Sequence, residues 1–227
     1  MNIDFNLHCL PNLDYNYDDY NGALHILSQL KACYIKSAVV TPSYNPSRES
    51  VSSFLSRRRS ALSKLNNHGI KLIPAATVPL IDGISDLDDL SRLSANGNEF
   101  IYLSLPLKFN HEVYDTEIHK IMYQKHLIPI FADFEISISL YEERELYKIL
   151  NTPYAAFQIN ISSLSNDIVF KTVKQLILQG RCVLFGTGIK DYTNRIPNYN
   201  LPVKRFESII GQDKFNYYML KCEQIFK

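Results

Sequence analysis

Short apolar runs alternate with longer stretches of helical spacing along the whole chain, and no low-complexity linker separates them. The runs that read as strands are IDFNL from Ile3, SAVVTPS from Ser37, KLIPAATV from Lys71, EFIYLSLPL from Glu99, IPIFADF from Ile128, AAFQIN from Ala155 and RCVLFGTG from Arg181. Between them the spacing predicts helices near 18–33, 49–68, 86–94, 112–126 and 140–150, with one or two more after Leu201. The clearest helix is SNDIVFKTVKQLILQG. Ser165 or Asn166 caps it, Val169, Val173, Leu176 and Ile177 line one face, and Gly180 stops it.

Strands that alternate with helices make a parallel sheet. Seven βα units without a break in composition suit a closed or nearly closed barrel, and residues 1–227 read as a single domain. Strand order is not legible in sequence, so an open sheet stays as the alternative. In a barrel, chemistry gathers at the carboxyl ends of the strands. Those ends hold Asn6, His8 and Asp14, then Pro42 and Ser43, then Thr77, then Asp133 and Glu135, then Asn160 and Ser163, and last Gly188, Lys190 and Arg195.

Composition narrows the function classes. At 46% hydrophobic, 227 residues are enough to bury a full core. The net charge of +1 is spread along the chain and gives no electrostatic case for nucleic acid. No apolar run approaches the roughly 18 residues of a membrane span, which predicts no membrane insertion. The Met1 end lacks the pattern of a secretory signal, and Cys9, Cys33, Cys182 and Cys222 sit among apolar residues without a CxxC pair. A cytoplasmic protein with reduced cysteines is the expectation.

The strand-end residues carry a resemblance. DFNLHCLPNLDYN is similar to a D-x-H-x-H-x-L-P-G-x-D-D-G pattern, keeping Asp4, His8, Leu10, Pro11 and Asp14. Thr41-Pro42-Ser43 stands where that pattern's relatives have T-P-H, Ala75-Ala76-Thr77 where they have G-A-E, and Ala132-Asp133-Phe134-Glu135-Ile136 where they have A-H-P-E-R. Gln158-Ile159-Asn160-Ile161-Ser162-Ser163-Leu164 keeps Q-I-N-x-x-S-L, and Thr187-Gly188-Ile189-Lys190 with Arg195 stands for S-D-A-H with its following Arg. The chain thus resembles, over nearly its full length, the PHP-domain (polymerase and histidinol phosphatase) tyrosine-protein phosphatases of bacterial capsule and exopolysaccharide clusters, the CpsB/YwqE-like family.

The resemblance implies an α/β fold, a distorted (β/α)7 TIM-like barrel of the PHP type, and a manganese- or iron-type phosphatase acting on a tyrosine autokinase. Six of the seven ligand positions that it supplies are altered here: Asn6, Ser43, Thr77, Asp133, Gly188 and Lys190. Only His8 is kept. A hydrolytic site with several metal ions needs carboxylates and imidazoles to offset charge. Asn6, Ser43 and Thr77 offer neutral oxygens, and Gly188 offers no side chain. A unit positive charge such as Lys190 costs about 4 kcal/mol at about 4 Å from another at an effective dielectric near 20, and a divalent ion about doubles that. No metal is therefore expected, or at most a weakly held ion at His8 and Asp133.

The expectation is a pseudophosphatase without cofactor, binding a protein or phospho-ligand through His8, Asp133, Glu135, Asn160, Lys190 and Arg195. The implied partner is a bacterial tyrosine kinase or a polysaccharide-export component. Two alternatives stand beside it. One is an active phosphatase with a reduced site, using His8 with Asp14 or Asp133 and Mn or Fe, or a metal-free acid/base pair. The other is a structural interaction protein whose barrel mouth is plugged, with Lys190 paired to Asp133 or Glu135.

The remaining features read as structural. Arg57-Arg58-Arg59 lies mid-helix, where consecutive side chains diverge by about 100°, and it is expected to be a solvated face. His25, His68, His111, His119 and His126 fall away from the strand ends. There is no G-x-S-x-G elbow, and GTGIK lacks the spacing of a phosphate loop. Tyr15, Tyr17 and Tyr20 cluster beside the first strand-end loop.

Overall fold

The computed structural model describes residues 2–13, 20–65, 68–189 and 200–226, with only the backbone for 200–203. The strands are β1 (Ile3–Leu7), β2 (Ser37–Val40), β3 (Lys71–Pro74), β4 (Thr77–Pro79), β5 (Phe100–Ser104), β6 (Ile128–Ala132), β7 (Ala156–Asn160) and β8 (Val183–Gly186). The helices are α1 (Tyr20–Ala32), α2 (Val51–Leu65), α3 (His111–His119), α4 (Phe134–Leu140), α5 (Glu143–Leu150), α6 (Asp167–Leu178), α7 (Asn200–Ile210) and α8 (Gln212–Gln224). All the strand pairs are parallel, in the orders β1-β2-β3 and β4-β5-β6-β7-β8. This is the mixed α/β architecture expected from the alternating pattern.

The two sheets are tied together at both ends. KLIPAATV, expected as one strand, breaks at Ala75 and Ala76 into β3, which pairs with β2, and β4, which pairs with β5. Ala75 N–H still donates to Val40 O at 2.9 Å and Thr77 N–H to Pro42 O at 3.1 Å, so the bent strand belongs to both sheets. At the other end, Gly188 N–H donates to Asn6 O at 2.9 Å and His8 N–H to Ile189 O at 3.2 Å. The chain beyond β8 therefore returns to β1. Gly186 makes that approach feasible, since a β-carbon there would lie 2.6 Å from Asn6 N.

Local sequence explains the start and the packing of α6. Asn166 Oδ1 accepts from Ile168 N at 2.9 Å and Val169 N at 3.3 Å at the start of α6, and Val169, Val173, Leu176 and Ile177 are buried as the spacing predicts. The helix predicted at 86–94 does not form. Ile84, Leu87, Leu90 and Leu93 recur every third residue, which suits 3-10 turns, and the segment folds as three of them: Ile84–Asp86, Leu90–Leu93 and Ala95–Gly97. Its Asp and Ser residues disfavour a helix interior, and the buried carboxylate of Glu117 takes Gly83 N–H at 3.1 Å and Ser85 N–H at 2.8 Å. The predicted 112–126 helix ends early, α3 passing into a wider turn at Lys120–Gln124.

α4 was not expected from the sequence, in which IPIFADF reads as a strand through Phe134. β6 stops at Ala132, and Asp133 takes the left-handed conformation (φ 48°, ψ 41°) before the chain turns into α4. Seven residues make too short a helix to stand alone. Phe134 holds it down, fully buried with its ring 4.8 Å from that of Phe157 on β7. That burial contributes about 1.5–3 kcal/mol and fixes where Asp133 and Glu135 lie.

Candidate functional site

In β1 successive side chains face opposite ways, so Asp4 and Asn6 share one face, and His8 follows just past the strand's end. All three are buried, as are Thr41, Gln158 and Thr187. Buried polar groups need partners. Asp4 Oδ1 accepts from Asn6 N at 2.9 Å and Thr187 N at 3.1 Å, while Asp4 Oδ2 accepts from Thr187 Oγ1 at 2.7 Å. This carboxylate clamps β1 to the end of β8.

Around Asn6 lies a network of side-chain amides. Asn6 Nδ2 donates to Asp133 Oδ1 and to Gln158 Oε1, each at 3.0 Å, with Asn160 Oδ1 at 3.3 Å. Asn6 Oδ1 accepts from Thr41 Oγ1. Gln158 Oε1 also accepts from Asp133 N at 2.8 Å, and Gln158 Nε2 donates to Asn160 Oδ1 at 3.1 Å. Asn160 Nδ2 completes the ring, donating to Asp133 Oδ1 at 2.7 Å. Asp133 stands at the N-cap of α4, a common place for Asp, yet its side chain makes no capping bond. It serves the amides instead.

Glu135 lies just behind, buried, with Oε2 accepting from Asn160 N at 3.2 Å. Burial, and next the nearby charge of Asp133, push its carboxyl up to about 7 from the ordinary range. Gly188 lies close against the Asn160 amide. Its φ is +59°, and a β-carbon there would overlap the Asn160 amide. A side chain at 188 and the present position of Asn160 are mutually exclusive.

The structure thus brings Asn6, Asp133, Glu135, Asn160 and Gly188 together. His8 sits just past the end of β1, buried at 3% exposure, with its backbone joined to Ile189. Thr77 is buried and donates through Oγ1 to Thr41 O at 3.2 Å, whereas the exposed Ser43 meets it through an isolated backbone bridge. Asp14, Lys190 and Arg195, with Tyr15 and Tyr17, lie outside the described residues. Among the described residues, no group of three or more His, Cys, Asp or Glu side chains is placed to hold a metal ion.

Gln158, Thr41, Asp4 and Thr187 were not singled out from sequence as site residues. Their signal was present for β1 and β7, where polar residues two apart (Asp4 and Asn6, Gln158 and Asn160) mark a polar interior face in otherwise apolar strands. The arginine triplet is not uniformly solvated as expected. Arg58 is buried and donates to Ala75 O at 2.7 Å, while Arg57 reaches Asn12 O and pairs with Glu49 at 2.7 Å. The thiols of Cys182 and Cys222, far apart in sequence, lie 3.6 Å from each other.

No helix among the described residues is long and apolar enough to cross a membrane. No family model matches the sequence, and no curated protein matches it. The fold is similar to that of a chain from the crystal structures of YwqE from Bacillus subtilis and CpsB from Streptococcus pneumoniae, described as unique metal-dependent tyrosine phosphatases. The TM-score is 0.79 at 15% identity, covering 99% of this chain and 94% of that one. At that identity the likeness speaks to the fold, which is the PHP-type fold that the strand-end motifs implied.

Proposed function

We propose that this chain is a pseudophosphatase: a PHP-type fold, acting as one domain in the cytoplasm, that binds a protein or phospho-ligand at the carboxyl ends of its strands without hydrolysing it. The amide network around Asp133 carries this reading. Asp133 Oδ1 already accepts two amide N–H bonds, from Asn6 at 3.0 Å and Asn160 at 2.7 Å, which an incoming cation would have to displace. Neutral oxygens at Asn6, Ser43 and Thr77, and no side chain at Gly188, do not fit a site for several divalent ions.

In this reading Lys190 and Arg195 supply positive charge for an anionic group, with Asp133 and Glu135 as counter-charges. The partner is a tyrosine kinase or a component of polysaccharide export. The test is fluorescence anisotropy with a phosphotyrosine peptide and its unphosphorylated twin. Selective binding that weakens at least tenfold in Lys190→Ala/Arg195→Ala is expected; equal binding of both peptides would overturn it.

One observation favours a second reading, a residual phosphoesterase. Glu135, at about 7, is poised for proton transfer near neutral pH. That reading requires turnover of the peptide which Glu135→Gln abolishes.

A further inference from the structure

Away from the amide network, a groove of about 490 Å³ opens between α2 and the 3-10 segment, lined by Leu55, Arg58, Arg59, Leu62, Pro74 and Arg92 among others.

The charges in this groove are unbalanced. Arg58 is nine-tenths buried, and it donates to a neutral carbonyl, Ala75 O, at 2.7 Å. Burial, and then the adjacent charge of Arg59, lower Arg58 to about 10, so it stays protonated at neutral pH. Among the described residues no acid pairs with Arg58 or Arg59, and Arg92 has only the half-exposed Asp89, at 2.9 Å. A buried cation without a counter-ion is unfavourable, and a bound anion offsets that cost. Guanidinium forks suit the oxygens of a phosphate, which can accept two parallel N–H bonds from each.

Leu55 and Leu62, one turn to either side of the arginines on α2, and Pro74 add apolar surface to the same lining. The volume falls in the range of about 300–1,000 Å³ usual for small-molecule sites. We infer that this groove is a binding site for a small organic phosphate, its dianion held by Arg58 and Arg59 with help from Arg92, and its organic body against Leu55, Leu62 and Pro74.

The test is isothermal titration of the full chain with phenylphosphonate, an aryl dianion that no phosphatase chemistry can consume, beside inorganic phosphate. Saturable binding should weaken at least tenfold in Arg59→Glu, which alters an exposed side chain. It should strengthen in Asp89→Asn, which releases Arg92; a folding defect would not raise affinity. Phenylphosphonate should bind at least fivefold more tightly than inorganic phosphate. No saturable binding, or binding untouched by Arg59→Glu, would overturn the site, and equal affinity for inorganic phosphate would overturn its organic half.

Discussion

Asn6 and Asp133, at the ends of β1 and β6, are joined directly: Asn6 Nδ2 donates to Asp133 Oδ1 at 3.0 Å. A carboxylate at position 6 would face Asp133 with no proton to give. Asn6→Asp should therefore lower stability by about 2–4 kcal/mol at pH 7.5, combining a lost hydrogen bond with like-charge repulsion. Protonation of the pair relieves the repulsion, so the deficit should shrink towards pH 5. Urea unfolding of both proteins across that range measures it.

Glu135 sets a second pH dependence of the opposite kind from an ordinary paired carboxylate. Its folded value, raised to about 7, exceeds that of the unfolded chain. Between the ordinary carboxylate range and pH 7 the folded state holds the proton more tightly, so stability is full below that window and falls as pH rises through it, by up to about 1.4 kcal/mol per pH unit. Glu135→Gln keeps an oxygen for Asn160 N–H and cannot ionise. Its unfolding midpoint should be flat where the parent's declines.

Gly188 and Asn160 should be coupled. Gly188→Ala introduces a β-carbon that overlaps the Asn160 amide and a side chain at φ +59°, and it should cost about 1–3 kcal/mol. In an Asn160→Ala background the overlap is gone, leaving only the backbone strain. A double-mutant cycle by urea unfolding should give a non-additive pair, with the double variant more stable than the sum of the single losses.

The alternation of strands and helices was legible because strand runs of apolar residues and the α6 periodicity report burial directly. The places that misled have specific causes. Apolar residues every third position at Ile84, Leu87, Leu90 and Leu93 serve a 3-10 segment as well as a helix. The Ala75–Ala76 break depends on pairing with two different neighbours and on Arg58 reaching Ala75 O, which are contacts between distant residues. At the site, Asn6, Asp133 and Gly188 were visible one by one. That their amides and carboxylates satisfy one another through Gln158 and Asn160 is a matter of strand register, which one sequence does not state.

Metal binding and turnover are best measured together. Protein prepared with manganese and, separately, with iron should be analysed for bound metal while its hydrolysis of a phosphotyrosine peptide is followed. Metal far below one ion per chain and no hydrolysis above background are expected of a pseudophosphatase; stoichiometric metal accompanied by turnover would contradict that assignment.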